Sequence, residues 1–300
     1  MQTLQVSTVP AISTSIQNLF NNNGPVSAEY DSIIQMADTL AGELKTGALS
    51  EEDLEQVRSQ FSADYLEKTM HGHSFSKPYG YAGDFMIIDK VYRKQICTEY
   101  QKWDEFFHDV KATRAVRNRK DYFKAALRIA SRNKAQVQLL NLASGPARDL
   151  YEFYQENPAI DLRTDCIEYD QQAIAFAKDL TKDYQDKINF IQGNVLRFQP
   201  EKPYDVVWSA GLFDYFNDEI FVKILNRAMS WATSEVIIGN FTPDNPSRNF
   251  MEVLLDWHLY HRDEAHLTEL ALKAGAQPHQ IQIGQEKEGV NLFLHIKLQD

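Results

Sequence analysis

The chain is short of cysteine, of positive charge and of long apolar runs, and each shortage excludes something. Its 2 cysteines, Cys97 and Cys166, stand far apart in 300 residues, and Cys166 falls in an apolar run that reads as a core strand. They read as free thiols of a reducing, cytoplasmic compartment, not as a disulfide frame. No apolar run approaches the ~18 residues that a membrane span requires. The N-terminus has no basic start followed by an apolar block, so no secretion signal is expected. Lys and Arg number 31 against 42 Asp and Glu, a net charge of -11. That argues against a long nucleic acid as partner, because phosphates call for a basic surface. His71-x-His73 has no cysteine or carboxylate cluster to support it, so no metal is expected. No internal repeat is found.

What is present is ordinary in bulk. The chain is 43% hydrophobic and 24% charged, as soluble globular proteins are. Its length suits one large domain, or one domain with a sizeable appendage. The informative stretch runs from Val137 to Lys178. Val137, Leu139, Leu140 and Leu142 form a short apolar run, as a strand buried on both faces requires. Ala143, Ser144 and Gly145 follow, small enough for a ligand to approach the backbone. Asp149 to Gln155 reads as helix, and a second strand at Cys166 and Ile167 ends in Glu168, Tyr169 and Asp170. An acid about 20 residues beyond a glycine turn can take the hydroxyls of a ribose. Two kinds of fold share this pattern. A dinucleotide fold wants G-x-G-x-x-G, so that a pyrophosphate rests on the helix N-terminus. Here Gly145 stands alone, followed by Pro146 and Ala147. The turn suits a nucleoside without phosphates better, which disfavours a nicotinamide-dependent oxidoreductase.

Around this stretch the chain divides into a flexible polar segment over 1–27, a helical cap over 28–134 and a core over 135–300. Tyr30, Ile33, Ile34, Ala37, Leu40, Ala41 and Leu44 fall at helical spacing, and Gly47 suits the C-terminal cap. Ser50-Glu51-Glu52-Asp53 opens a further helix. His71 to Asp84, with three glycines, one proline and three aromatics, reads as a structured loop. It is either a tight turn packed on the core or a lid segment. Phe85 to Tyr100 reads as helix. So does Lys111 to Lys134, with nine basic residues against the single acid Asp121. Its cations are either a solvated face paired with surface carboxylates, or Arg114 or Arg117 points inward to a ligand carboxylate. Downstream strands are expected at INFIQGN, ending at Gly193, Asn194 and Val195, at Tyr204 to Gly211, and at Glu235 to Asn240. Asn249 to Arg262 reads as a helix carrying Trp257, Tyr260 and His261 on one surface. The end reads as an antiparallel hairpin around Glu286 to Gly289. Strands alternating with helices give an α/β fold with a parallel sheet, whose ligands bind at the carboxyl ends of the strands.

The stretch from Val137 to Lys178 resembles motif I and the acidic motif of class I S-adenosylmethionine (SAM) methyltransferases. KPYGYAGDF (Lys77 to Phe85), AVRNRKDY (Ala115 to Tyr122), LNLASGPARDL (Leu140 to Leu150), SAGLFDYF (Ser209 to Phe216) and GNFTPDNPSRNFMEVLLDWHLYHR (Gly239 to Arg262) resemble a narrower group. These are the bacterial extracellular factor 3-hydroxypalmitic acid methyl ester synthases. The resemblance spans roughly residues 30–298. Two positions depart from it: Ser144 stands where a cysteine is expected, and His261 where a tyrosine precedes the arginine. The fold implied is a Rossmann-like seven-stranded sheet, with a seventh strand inserted antiparallel and an N-terminal helical cap.

The resemblance implies SAM as donor and S-adenosylhomocysteine as product. It places Tyr81, Arg117, Ala143, Ser144, Gly145, Asp149, Glu168, Tyr169, Asp170, Gly193, Asn194, Val195, Ser209, Ala210 and Gly211 around the cofactor. Tyr79, Phe213, Tyr215, Asn240, Trp257 and Arg262 would line the acceptor, and Asp84, His258, Tyr260 and His261 would serve chemistry. Methyl transfer is an in-line displacement that mainly needs alignment and exclusion of water. A carboxylate acceptor needs no base, whereas a hydroxyl or amine acceptor does. A small-molecule carboxylate, a fatty acid or a peptide C-terminus, is the first expectation, with N- or hydroxyl-methylation next. A SAM-fold protein that binds without turnover is the reading from another class. The cap's aromatics would serve a lipid pocket or a homodimer interface.

Overall fold

In the computed structural model, which describes residues 8–132 and 134–298, the chain forms two compact units. One comprises Met1–Thr113 and Pro246–His258, the other Arg114–Asn245 and Leu259–Asp300. These units do not follow the linear boundaries 28–134 and 135–300. Most of the basic helix goes with the sheet, and a piece near residue 250 goes with the helices.

The helical unit holds α1 (Thr8–Asn21), α2 (Tyr30–Thr46), α3 (Glu51–Arg58), α4 (Ala63–Lys68), α5 (Met70–Ser76), α6 (Phe85–Arg93) and α7 (Gln101–Asp109). Four expectations change here. The segment expected to be flexible carries α1, whose Val9, Ile12, Ile16 and Leu19 are buried at helical spacing; Met1 to Ser7 lie outside the described residues. The expected loop from His71 begins as α5, capped by Thr69 Oγ1, which accepts from Gly72 N. The helix expected to reach Tyr100 stops at Arg93, where Lys94 turns left-handed at φ 52°. Between Asn249 and Arg262 there is no α-helix. A π-turn spans Phe250–Leu254, Asp256 sits at φ 49°, and no regular structure follows up to Asp263. Beyond it the backbone is committed elsewhere: Tyr260 N donates to Asp214 O at 2.7 Å and Arg262 N to Phe241 O at 2.9 Å. The unit's core is aromatic, with Phe20, Phe61, Tyr65 and Trp103 in mutual contact.

The second unit is a seven-stranded sheet of β1 (Val137–Leu142), β2 (Leu162–Glu168), β3 (Ile188–Gln192), β4 (Tyr204–Ser209), β5 (Ala232–Phe241), β6 (Ile281–Gln285) and β7 (Asn291–Lys297). The order is β3-β2-β1-β4-β5-β7-β6. The first five strands run parallel and β7 pairs antiparallel with both β5 and β6. Helices α8 (Lys111–Ala130), α9 (Arg148–Glu156), α10 (Gln171–Leu180), α11 (Asp218–Trp231) and α12 (Glu264–Lys273) complete the fold. Strand residues alternate between two cores, as period-2 geometry demands. Leu140, Leu142, Val207, Ile238 and Leu294 pack with Phe221, Ile224 and Leu267 on one side. Val137, Leu139, Trp208 and Phe293 pack with Phe123, Leu127 and Phe153 on the other. The sheet is the Rossmann-like α/β fold that the sequence leads one to expect.

Candidate cofactor site

The carboxyl ends of β1, β2 and β4 converge on one edge of the sheet. After β1 the chain enters the left-handed region three times, at Ala143 (φ 53°), Gly145 (φ 54°) and Ala147 (φ 52°). Two of these are alanines, each held there at a cost of about 1–2 kcal/mol, and such strain persists where surrounding contacts over-determine it. Those contacts are visible. Ala143 N donates to Ile167 O at 2.8 Å, and Gly145 N donates to Glu168 Oε2 at 2.8 Å. The turn of β1 is thereby tied to the acid that ends β2.

Glu168 is buried, and its other oxygen, Oε1, accepts from Tyr169 N at 2.8 Å and Asp170 N at 3.0 Å. Burial pushes its carboxyl above the ordinary range, and these backbone N–H groups pull the other way. A carboxylate offers about four acceptor positions. Three of them are filled by these backbone N–H groups. Tyr169 is 74% exposed and Asp170 caps α10 through Gln172 N. Gly193 N donates to Glu168 O at 2.9 Å, which draws the end of β3 beside β2. Val195 is buried; Asn194 is exposed, and its Oδ1 already accepts from Leu196 N at 2.8 Å. Ser144 is buried, and its hydroxyl lies near the Cys166 thiol, whose pKa burial raises. Ser209 Oγ donates to Leu142 O at 3.3 Å. Asp149 is buried in the first turn of α9, so a phosphate at that N-terminus would meet a carboxylate. That is a physical reason, beyond glycine count, why the turn does not suit a pyrophosphate.

Several cations of the basic helix pair with carboxylates, as the first reading of it has them. Lys120 pairs with Glu152 at 2.7 Å, Lys124 with Glu156 at 2.7 Å, and Arg128 with Glu156 at 2.6 Å. Arg114 pairs with Glu288 at 3.2 Å, and Arg117 is half-buried. Arg119, like Lys124, is 6% exposed, and its guanidinium donates to Ala210 O at 3.3 Å. A Cβ on Gly211 would stand 2.7 Å from it, so glycine is what lets the arginine lie there. Its charge acts on two buried carboxyls. Burial pushes Asp149 up to about 6 and Asp214 up to about 7, and Arg119 opposes both shifts. Arg119 was not among the residues expected in the site. The signal for Arg119 was available: it stands three residues after Val116 and four before Phe123, inside the helix's apolar stripe.

Several expected acceptor and chemical residues serve the fold instead. Arg262, 1% exposed, donates to Asp218 Oδ1 at 2.8 Å, Asn240 Oδ1 at 2.9 Å and Phe216 O at 2.6 Å. Asn240, fully buried, donates to Tyr260 O at 2.9 Å. Phe213 is also fully buried, packed on Phe221. None of the three lines an open surface. Tyr215 and Tyr260 are 40% and 53% exposed, and His261 Nδ1 lies 3.1 Å from Leu259 O. Tyr79, Tyr81, Asp84, Trp257 and His258 belong to the helical unit. There Asp84 caps α6, accepting from Met86 N and Ile87 N at 2.9 Å, and meets His73 Nε2 at 2.9 Å. Lys90 Nζ lies 3.0 Å from the other ring nitrogen of His73. Tyr79 packs on Phe85, Tyr81 is exposed, and Trp257 is largely buried. His258, 64% exposed, pairs with Asp256 at 3.1 Å. Among the described residues no group of acids, cysteines and histidines could hold a metal, and no helix is long and apolar enough to cross a membrane.

Residues 139–234 match a family described as a methyltransferase domain. No curated protein matches the chain significantly. Among solved structures, a possible exported protein from Bordetella parapertussis is 14% identical over 92% of this chain and 98% of its own, with a TM-score of 0.63. Magnesium protoporphyrin IX methyltransferase from Synechocystis, solved with bound S-adenosylhomocysteine, is 12% identical over 63% of this chain and 87% of its own, with a TM-score of 0.50. At such identities these likenesses speak for the fold, and the matched domain speaks for the activity. Residues 139–234 thus match a methyltransferase domain, set in a sheet of the class I fold.

Proposed function

We propose that SAM binds across the ends of β2, β1 and β4, and that the methyl group passes to a small-molecule carboxylate. What carries the first half is the contact between Glu168 Oε2 and Gly145 N, which joins the acid to the turn. Glu168 takes a ribose hydroxyl, and Tyr169, Asp170, Gly193, Asn194 and Val195 flank the adenine. Ala143, Ser144, Gly145, Ser209, Ala210 and Gly211 pass beneath the methionine. The carboxylate acceptor is supported by the fate of two of the four residues expected to serve chemistry: Asp84 caps a helix and faces His73, and His258 is held at the surface by Asp256. An acceptor already ionised at neutral pH needs neither. The resemblance to methyl ester synthases of 3-hydroxypalmitic acid makes a fatty acid the first acceptor to try. The unpaired thiols Cys97 and Cys166 suit work in the cytoplasm. One observation favours a second reading. Asp214, with its pKa pushed up to about 7, has the value a general base for a hydroxyl or amine acceptor would want.

Calorimetric titration with S-adenosylhomocysteine tests the donor half. Binding is expected in the wild type and a loss of at least about tenfold in Glu168→Ala, the scale of a hydrogen bond to a charged group. No binding to the wild type would sink the proposal. The acceptor half is tested with methyl-labelled SAM and carboxylic acids of graded length. Methyl esters release labelled methanol in mild alkali, whereas methyl ethers and N-methyl products do not, and a stable product would move the assignment to the second reading.

A further inference from the structure

We propose that Lys90 is an activated amine that condenses with the carbonyl of an aldehyde, with His73 as the base that frees it and Asp84 as the group that orients His73. The inference concerns the helical unit alone and does not depend on the SAM reading. His73 lies on α5, Asp84 is the N-cap of α6, and Lys90 lies on α6. His73 Nε2 stands 2.9 Å from Asp84 Oδ2 and 3.1 Å from Oδ1. A carboxylate only accepts, so Nε2 carries the ring proton and Nδ1 is left bare. Lys90 Nζ lies 3.0 Å from that bare nitrogen. Carboxylate, imidazole and nucleophile in that order form the arrangement that activates a nucleophile. The cap of α6 fixes it in place. Asp84 Oδ1 also accepts from Met86 N and Ile87 N, each at 2.9 Å, so the carboxylate cannot swing away without uncapping the helix.

His73 and Asp84 are buried and Lys90 is half-buried, so the amine is the member a ligand can reach. The other charges near it are engaged elsewhere. Asp104 accepts from Met70 N and Cys97 N, both at 2.8 Å, and Arg93 pairs with Asp89 at 2.7 Å. Burial pulls the Lys90 amine below its ordinary range, Asp84 and Asp104 pull it up, Arg93 pulls it down, and burial prevails. The ring of Tyr79 stands 6.2 Å from that of His73 and 4.5 Å from that of Phe85, which suits an aldehyde with a flat apolar body. In the reaction His73 takes the extra proton of the ammonium. The neutral amine adds to the carbonyl carbon, forming a C–N bond. Its two hydrogens pass to the carbonyl oxygen, the first through His73, and that oxygen leaves as water while the C=N bond forms. Amine and aldehyde give imine and water, with no oxidant or reductant.

The test uses the full chain, benzaldehyde and cyanoborohydride, which reduces an imine to a stable benzylamine that peptide mass spectrometry locates. At pH 7 Lys90 is expected to be labelled at least about tenfold faster than Lys45, an exposed lysine of the same unit. His73→Gln should erase that lead. Asp84→Asn, which keeps an acceptor for the cap of α6, should fall between. Equal labelling of Lys90 and Lys45 in the wild type overturns the assignment, and so does a wild-type lead kept by His73→Gln. If His73→Gln does not fold, the pH profile of the wild type decides. An amine with a lowered pKa loses its lead as ordinary lysines lose their protons, so the ratio should fall several-fold from pH 7 to pH 10, and a constant ratio overturns the assignment.

Discussion

Asp214 sits fully buried just beyond β4, where its Oδ1 accepts from Phe241 N at 2.7 Å. Burial raises its pKa from 3.8 to about 7, so the folded protein holds a proton that the unfolded chain releases. Between about pH 4 and 7 this group makes the fold less stable as pH rises, by up to about 1.4 kcal/mol per pH unit. Asp214→Asn keeps an acceptor for Phe241 N and removes the titration. Its stability relative to wild type, read from urea melts, should therefore rise from pH 4.5 to pH 7.5; a constant difference would refute the assignment. Residues of this kind are hard to read in sequence. Glu168 was legible because its partner turn lies a fixed distance upstream. Asp214 and Arg262 gain their roles from partners tens of residues away, and Arg262 looked like a ligand-binding cation until its acceptors proved to be Asp218, Asn240 and backbone carbonyls. Arg119 stood in plain view as a charge inside an apolar stripe.

At the level of elements, the turn from β1 into α9 stores strain. Ala147, at φ 52°, precedes α9 and has no side-chain cap to offer. Glycine would relieve about 1–2 kcal/mol of left-handed strain and give back about 0.5–1 in chain entropy. Ala147→Gly should thus stabilise the protein by roughly 0.5–1 kcal/mol in urea unfolding; a loss of stability would mean that its buried methyl, on the side of Leu150 and Phe153, matters more. Strands β1, β4 and β5 were legible because each carries a short cluster of apolar residues, and β6 and β7 because a glycine-bearing turn separates them. The stretch from Asn249 to Arg262 was not. Its apolar spacing is helical, but Asp214 O, Phe241 O and Asn240 Nδ2 claim its backbone, and long-range bonds leave no local trace. α1 was missed for the opposite reason, since polar residues dilute its four buried apolar positions.

For the whole molecule, the linear division at residue 134 cuts through one core. α8 lays Phe123 and Leu127 onto the sheet face formed by Leu139, Trp208 and Phe293. Each such side chain contributes about 1.5–3 kcal/mol by burial, and the rest of the helix adds to it. A fragment 135–300 should therefore lack a cooperative unfolding transition by circular dichroism, and one such transition with native near-ultraviolet signal would refute this. The sheet's order carries a further consequence, for the timing of folding. β6 pairs with β7 alone, and β7 alone joins it to β5. In a growing chain β6 emerges first yet has no place to dock. It must wait for its hairpin partner, a local and rapid pairing, and the hairpin must then be received by β5 across about forty residues of intervening chain. The last event in building the sheet is thus the docking of a preformed hairpin, and until it happens the edge of β5 stays open to any other strand that arrives first.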